Sequence, residues 1–142
     1  MITVTKRLEF DAAHRLLNHE GKCRHYHGHH YTAEVTVGAM NGLDSTGRVI
    51  DFSVIKSVLG TWIDENWDHN SLLNCFDPLF THICSITPDR EPFLFFDNVN
   101  PTAENIAKKL YDMAVELLPD NLWIIKVRIW ETPTCYADYD QT

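Results

Sequence analysis

Residues 10–35 read FDAAHRLLNHEGKCRHYHGHHYTAEV and contain six of the eight histidines of this 142-residue chain. His27 and His29 are separated by one glycine, so on an extended backbone their side chains point to the same side. A histidine-rich stretch can also be a solvated turn or a loose metal-binding tract. We interpret His14, His27 and His29 as ligands of one metal ion. Four other histidines are interpreted as surface or supporting residues: His19, His25, His30 and His82.

Two alternating segments flank this histidine cluster. Ile2, Val4, Leu8 and Phe10 share one parity, and the same face continues through Ala12 to His14. A second alternating segment, residues 31–37, is in register with the two later histidines. A period of two predicts two antiparallel strands, bridged by an irregular loop that holds Cys23.

The rest of the chain predicts a small α+β domain. The predicted elements are a short strand over 48–51, a helix over 52–63, a small strand over 93–96, a helix that starts at Thr102 or Ala103, and a final strand over 122–130. We therefore expect an antiparallel four-stranded sheet with two helices packed on one face, in a single domain that spans residues 1–142.

Composition limits the classes of function. The formal net charge is -8, which argues against binding to a nucleic-acid backbone because that requires a basic face. The opening MITVTKRLEF alternates like a strand, so we expect no signal peptide, and no segment is long and apolar enough for a membrane span. The four cysteines form no C-x-x-C pair, which favours a reducing cytoplasm.

The cluster suggests metal chemistry. Three histidines on zinc leave the fourth tetrahedral position open, as in catalytic sites. Such a zinc polarises a carbonyl, holds an alkoxide or acidifies a hydroxyl group. Cys23 lies four residues before His27. A thiol near a dication is biased toward thiolate, a base or nucleophile. Cys23 is equally consistent with a fourth ligand of a closed structural site or with an inert buried thiol.

Carboxylates supply the other candidate groups. An aspartate can fix the tautomer of a histidine and raise its basicity, so Asp68-His69 is either a proton donor pair or an ordinary turn. Glu104 lies in the first turn of its predicted helix, where the helix dipole is a sufficient explanation. Glu131 is either a surface residue or an acceptor of two parallel N–H groups, as a pterin or guanine edge presents.

Six motifs together resemble one family. They are FDAAH at 10–14, CRHYHGH at 23–29, GRVIDF at 47–52, WDHNSLL at 67–73, NPTAEN at 100–105 and ET at 131–132. As a set they resemble the 6-pyruvoyltetrahydropterin synthase superfamily, and more closely its bacterial 6-carboxy-5,6,7,8-tetrahydropterin synthase branch. The spacing of three residues between Cys23 and the HGH motif resembles that branch, because the pyruvoyl branch has five residues there. A folate-pathway variant of the family has glutamate in place of the cysteine, so Cys23 argues against it. The stretch 75–97 departs from the pattern by being longer than in compact members.

The resemblance implies a role for each site residue. It makes His14, His27 and His29 the zinc ligands and Cys23 the catalytic thiol. It makes Asp68 and His69 the catalytic proton-relay pair. It makes Glu131 the anchor of the pterin ring, with Thr102 and Glu104 beside it.

The resemblance also implies a fold, an assembly and a reaction. The fold is the tunnelling fold (T-fold), in which trimers close a β-barrel and pair into a homohexamer with active sites between subunits. The reaction is the zinc-dependent conversion of 7,8-dihydroneopterin triphosphate to 6-carboxy-5,6,7,8-tetrahydropterin, acetaldehyde and triphosphate, toward 7-deazaguanines such as queuosine. One alternative is 6-pyruvoyltetrahydropterin synthase, which eliminates triphosphate. Another is a non-enzymatic, zinc-stabilised binding module whose acidic surface meets a protein partner.

Overall fold

A six-stranded mixed β-sheet is the framework of the molecule. The computed structural model describes residues 1–142. Its strands are β1 (Thr3–His14), β2 (His27–Ala39), β3 (Asn70–Asn74), β4 (Phe93–Phe95), β5 (Leu122–Thr132) and β6 (Cys135–Tyr139), in the order β4-β3-β1-β2-β5-β6 across the sheet. The pairs β1–β2, β2–β5 and β5–β6 are antiparallel, whereas β3 is parallel to both β1 and β4.

The helices connect and cover this sheet. They are α1 (Phe52–Ile55), α2 (Thr61–Asn66), α3 (Leu79–Ile86) and α4 (Ala103–Leu117); a π-helical turn, Lys56–Gly60, joins α1 to α2 without a break. The Asp51 carboxylate caps α1 by accepting the Ser53 N–H at 2.8 Å, and the Thr102 hydroxyl caps α4 by accepting the Asn105 N–H at 3.2 Å. None of these helices has the length and apolar character that crossing a membrane requires.

The main core lies on one face of the sheet. Phe10 of β1 is paired in register with Tyr31 of β2, and their rings stack with centroids 5.0 Å apart. Apolar residues of α4 and of the 52–66 helical segment complete a cluster of 24 buried residues. In the same register His14 is opposite His27 and Ala12 is opposite His29, so the three histidines extend this core face toward the end of the sheet.

Several predicted elements are confirmed, and one strand is wrong. The strands β1, β2, β4 and β5 and the helices starting at Phe52 and Ala103 occupy the predicted segments. The strand predicted over 48–51 does not form. The Asp44 carboxylate accepts the backbone N–H groups of Thr46 and Arg48, at 2.9 and 3.0 Å, which folds this segment into a turn. Gly47, with φ of 87°, supplies the left-handed residue that the turn needs.

The predicted four-stranded antiparallel sheet is also too simple. Strands β3 and β6 and helix α3 were not predicted, and β3 makes the sheet mixed. β3 is short, and helix α3 lies within the long stretch 75–97. Leu73 and Ile83 are buried but lie outside the main core cluster, and Ile83 and Asp11 line the same groove. Helix α3 therefore covers the sheet face opposite α4, so two helices on one face describe only part of the molecule.

Candidate metal centre

The three predicted ligands meet at one point. His14 ends β1, while His27 and His29 begin β2, and the antiparallel register places these strand ends side by side. One ring nitrogen from each histidine lies within 4.8 Å of the other two, and the His27 and His29 Nε2 atoms are 3.1 Å apart. Ligands about 2.0–2.1 Å from a tetrahedral zinc are about 3.3–3.4 Å from one another, so these nitrogens fit one ion.

Backbone carbonyl groups set the orientation of two rings. His14 Nδ1–H donates to the Pro101 oxygen at 2.7 Å, and His27 Nδ1–H donates to the His25 oxygen at 2.6 Å. A carbonyl oxygen only accepts, so each Nδ1 carries the proton and each Nε2 keeps its lone pair. Metal-bound histidines usually make such a hydrogen bond through the ring nitrogen that does not bind the metal.

Burial lowers the pKa of two histidines of the cluster, His14 and His29. Desolvation lowers the pKa of His14 to about 4, although the bond to Pro101 acts in the opposite direction. Desolvation also lowers the pKa of His29, against the charge of Glu131. Neutral imidazole is the form that binds a metal. The lowered pKa values therefore favour ligation near neutral pH.

One nitrogen of the histidine cluster, His14 Nε2, is buried and makes no hydrogen bond. Glu131 Oε1 lies 3.3 Å from it and 3.6 Å from His29 Nε2. Buried polar atoms are rarely left unpaired, because each costs about 1–3 kcal/mol. A cation between these atoms would satisfy the nitrogen, and the donor set of imidazole nitrogen with carboxylate oxygen suits zinc.

Cys23 lies beside the cluster but outside it. It is half-buried in a 3-10 turn, Lys22–Arg24, and its carbonyl accepts the Leu16 N–H at 2.9 Å. The set whose ligand atoms lie within 4.8 Å of one another contains the three histidines without Cys23. Burial raises the pKa of Tyr31 above its usual range, and Glu131 and Cys23 act in the same direction, so both groups face that phenol.

Asp68 and His69 do form a side-chain pair. His69 Nδ1–H donates to Asp68 Oδ2 at 2.9 Å, and Asp68 Oδ1 accepts the Asp11 N–H at 2.9 Å. Neighbouring side chains meet here because His69 has a φ of 56°, held by its N–H bond to the Asp11 carbonyl at 2.6 Å. Burial opposes ionisation of Asp68, but the Asp11 N–H and the His69 ring hold the pKa of this carboxyl below its usual range.

The Asp68–His69 pair and the histidine cluster lie on opposite faces of the sheet. Asp11, whose carboxylate is within 4.8 Å of both members of the pair, has the opposite parity to His14 on β1. His69 is exposed and lines a groove of about 700 Å³ together with Asp11 and Arg90. One chain thus brings the three histidines together but does not bring the pair to the same face.

The turn before α4 is a feature that sequence reasoning missed. The Asn100 side chain accepts the Leu17 N–H and donates to the Leu17 carbonyl, both at 3.0 Å. Next to it, Pro101 holds His14. The turn therefore fixes both a predicted ligand and the start of the Cys23 loop. Thr102 is used as the cap of α4, and Glu104 is exposed on the first helical turn.

A groove adjoins Glu131. Its volume is about 570 Å³, within the usual range for small-molecule sites, and His29, Glu131 and Arg7 are among its lining residues. Val127 and Ile129 are buried in the core, and Glu131 follows them at the same parity on β5. The carboxylate thus points toward the histidines from the neighbouring strand.

The architecture and the site together indicate a class of protein. An α+β sheet that gathers three histidines at the ends of its two central strands resembles a metal-dependent enzyme. A solved structure of an uncharacterized Wolinella succinogenes protein matches with a TM-score of 0.82 at 22% identity over 99% of this chain and 98% of that chain. The structure of Caenorhabditis elegans 6-pyruvoyl tetrahydropterin synthase matches with a TM-score of 0.72 at 26% identity over 99% and 96%. The predicted α+β, T-fold-like architecture is confirmed.

Residues 3–142 match the family described as 6-pyruvoyl tetrahydropterin synthase, and the chain belongs to that family. A Rickettsia felis relative named 6-carboxy-5,6,7,8-tetrahydropterin synthase is 39% identical over 97% of this chain and 99% of its own length. A Haemophilus influenzae relative of the same name is 30% identical over 99% and 100%. The prediction of an enzyme of this family is confirmed, and the non-enzymatic binding module is set aside.

Proposed function

We propose that this chain is a zinc-dependent lyase that converts 7,8-dihydroneopterin triphosphate to 6-carboxy-5,6,7,8-tetrahydropterin, acetaldehyde and triphosphate. One water balances the release of triphosphate, and the remaining atoms divide between the two carbon products without an oxidant. The observation that supports this most is the three-histidine cluster beside Glu131, in a chain whose relatives carry the carboxytetrahydropterin synthase name.

His14, His27 and His29 are the proposed zinc ligands. Zinc supplies a Lewis acid that lowers the pKa of a coordinated hydroxyl group. The Pro101 and His25 carbonyls keep two of the rings turned toward the ion. Burial and the supporting hydrogen bonds hold the ligands in place before the substrate arrives.

Proton transfer is assigned to Cys23 and the Asp68–His69 pair. Cys23, as a thiolate, takes a proton from the side-chain carbon of the dihydropterin. His69 exchanges protons on the far side, oriented by Asp68, whose 2.9 Å contact fixes the proton on Nδ1. Carbon–carbon cleavage then releases acetaldehyde.

Recognition of the ring is assigned to Glu131, with Thr102 and Glu104 beside it. A carboxylate accepts two parallel N–H groups of the pyrimidine edge. The groove at Glu131 has room for a small molecule, and Arg7 lines the same groove.

The proposed assembly is a homohexamer of single-domain chains, 1–142, with active sites shared between subunits. We place it in the cytoplasm, on a route to 7-deazaguanines such as queuosine. The partner is a small pterin triphosphate, with no nucleic acid and no membrane.

Product analysis tests the reaction. The metal-loaded protein is incubated with dihydroneopterin triphosphate, and the pterin and any aldehyde are identified by mass. We expect a 6-carboxy product and stoichiometric acetaldehyde. A 6-pyruvoyl product without acetaldehyde would support the alternative, 6-pyruvoyltetrahydropterin synthase. The Caenorhabditis elegans neighbour carries that name.

A further inference from the structure

We propose that Glu131 is a fourth protein ligand of the metal in the substrate-free enzyme, and that it leaves the metal to bind the incoming ring. This inference rests on the proposed function, because it gives one carboxylate two alternating partners. The open coordination position would then be created by substrate recognition instead of being open permanently.

The arrangement of protons around the histidines carries the first step. His14 and His27 each use Nδ1–H on a carbonyl, so both Nε2 atoms hold lone pairs. His29 can satisfy His27 by donating a hydrogen bond from its Nε2–H to the His27 Nε2, which is 3.1 Å away. His14 Nε2, however, makes no hydrogen bond, although Glu131 Oε1 lies 3.3 Å away. Two acceptors that face each other repel unless a cation lies between them.

The distances carry the second step. Glu131 Oε1 is 3.3 Å from one histidine nitrogen and 3.6 Å from another. Carboxylate oxygen and imidazole nitrogen bind zinc at about the same distance, about 2.0–2.2 Å, so tetrahedral ligands lie about 3.3–3.6 Å apart. The carboxylate therefore lies at ligand distance from His14 and His29. It lies outside the set of ligand atoms within 4.8 Å of one another that includes His27, so ligation by Glu131 requires its side chain to rotate toward His27.

The location of Glu131 carries the third step. Its side chain is 28% exposed, and it lines the same 570 Å³ groove as His29. A ring that enters this groove meets the carboxylate that contacts the histidines. The N–H pair of the ring and the metal then compete for the same oxygen atoms. Coupling between two binding sites is reciprocal. The ring must therefore lower the affinity for the metal by the same factor by which the metal lowers the affinity for the ring.

The test measures metal binding instead of turnover. Zinc affinity is determined by competition with a chromophoric chelator for the wild type, Glu131→Gln and Glu116→Gln. Glu116 is the matched control, because it is an exposed carboxylate on α4 with no role in the proposed site. We expect Glu131→Gln to weaken zinc binding about 10-fold or more, and Glu116→Gln to match the wild type.

A cobalt-substituted protein tests the exchange itself. The visible absorption of Co²⁺ reports its ligand set, so Glu131→Gln should change the spectrum of the substrate-free protein. A pterin ring without a hydroxylated side chain should change the wild-type spectrum in the same direction. Glu131→Asp, which keeps the charge with a shorter reach, should give an intermediate zinc affinity and guards against a folding defect in the amide variant.

Equal zinc affinity and equal cobalt spectra for the wild type and Glu131→Gln would overturn the inference. So would a wild-type cobalt spectrum that does not respond to the ring-only pterin at saturating concentration. The product assay is independent of both measurements. A protein that binds zinc through Glu131 but makes no 6-carboxy product would refute the proposed function alone.

Discussion

His14 is held by a residue that is 87 positions away in the sequence. Its Nδ1 proton goes to the Pro101 carbonyl, and its Nε2 faces the two histidines of β2. The ring is 1% exposed, so neither nitrogen can exchange freely with water. Strand parity alone identifies His14 as inward-facing, and the bond to Pro101 fixes the orientation that its proposed role as a ligand requires.

Cys23 is the residue whose role most needs a direct test. If Cys23 is the base, Cys23→Ala keeps the zinc and loses turnover by about 10²-fold or more, the scale of a general-base contribution. His27→Ala is the comparison, because it removes a ligand and should lose both metal and activity. Metal content by atomic spectroscopy and product formation are measured on the same samples.

Loss of the metal from Cys23→Ala would contradict this assignment. The cysteine would then be a fourth ligand, and the site would be closed and structural. The grouping of the three histidines without Cys23 favours a site in which the cysteine is not a ligand.

At the scale of elements, the turn before α4 links the two halves of the site. The Asn100 side chain accepts the Leu17 N–H through Oδ1 and donates to the Leu17 carbonyl through Nδ2. Asn74 Nδ2–H donates to the same Oδ1 atom of Asn100 at 3.2 Å. The Leu16 N–H closes the loop onto the Cys23 carbonyl. The position of the thiol thus depends on contacts between β3, the α4 turn and the loop after β1.

Asn100→Ala should therefore impair the Cys23 loop more than the histidine cluster. We expect the free energy of unfolding to fall by about 1–3 kcal/mol, because the two Leu17 groups lose their partner. Turnover should fall while zinc affinity stays close to that of the wild type, since the Pro101 carbonyl is a backbone group. Asn105→Ala, which removes only the 2.9 Å bond to the Asn100 carbonyl, is the control. A loss of zinc from Asn100→Ala would show that the turn orients the ligands instead.

Helix α3 is attached by a partly buried ion pair. Arg15 donates two hydrogen bonds to the Asp77 carboxylate, one of them at 2.8 Å from Nε, and the same carboxylate accepts the Leu79 N–H at the start of α3 at 2.8 Å. Burial opposes ionisation of Asp77, yet the Arg15 bonds and the Leu79 N–H hold the pKa of this carboxyl below its usual range.

The lowered pKa of Asp77 sets the sign of a pH dependence. Its stabilising contribution is complete above the unfolded-state pKa, about 3.9, and is lost as the pH falls through the lower folded-state pKa. Asp77→Asn should lower the free energy of unfolding by about 1–3 kcal/mol at pH 7. The difference from the wild type should shrink below about pH 4, as measured by urea unfolding across pH. A difference that is constant down to pH 2 would show that the ionised form is not what stabilises α3.

At the scale of the whole molecule, the sheet separates groups that the proposed reaction needs together. His14, His27 and His29 lie on the core face, whereas the Asp68–His69 pair lies on the face that α3 flanks. We therefore expect a second chain to complete the proposed site. A closed ring would also pair the edge strands β4 and β6, which a lone chain leaves open.

Complementation between inactive variants tests the shared site. Cys23→Ala and His69→Ala should each be inactive alone. When they are co-expressed and assemble at random, about one quarter of the sites receive both native residues from different chains, and activity should return to about that fraction. Co-expressed Cys23→Ala and His27→Ala should stay inactive, because both changes affect the same face. Light scattering should give about six times the 16.4 kDa chain mass. A zinc-replete monomer, or no restored activity, would exclude the shared site.

The sequence by itself determined the features that repeat locally. Period-two alternation identified β1 and β2, a run of β-branched residues identified β5, and the HGH spacing together with His14 identified the histidine cluster. These signals are readable because side-chain direction on a strand follows directly from sequence position. The motif set likewise determined the family, which the match over residues 3–142 confirms.

Only the tertiary structure decided which distant groups meet. The strands β3 and β6 depend on pairing with partners already in the sheet, and the turn at Asp44 replaced a strand through side-chain hydrogen bonds. The Pro101 carbonyl on His14 and the Glu131 carboxylate beside it arise from register and chain crossing, which leave no local period in the sequence. The physical reason is that contacts between strands depend on how they align, and alignment is a property of the folded sheet.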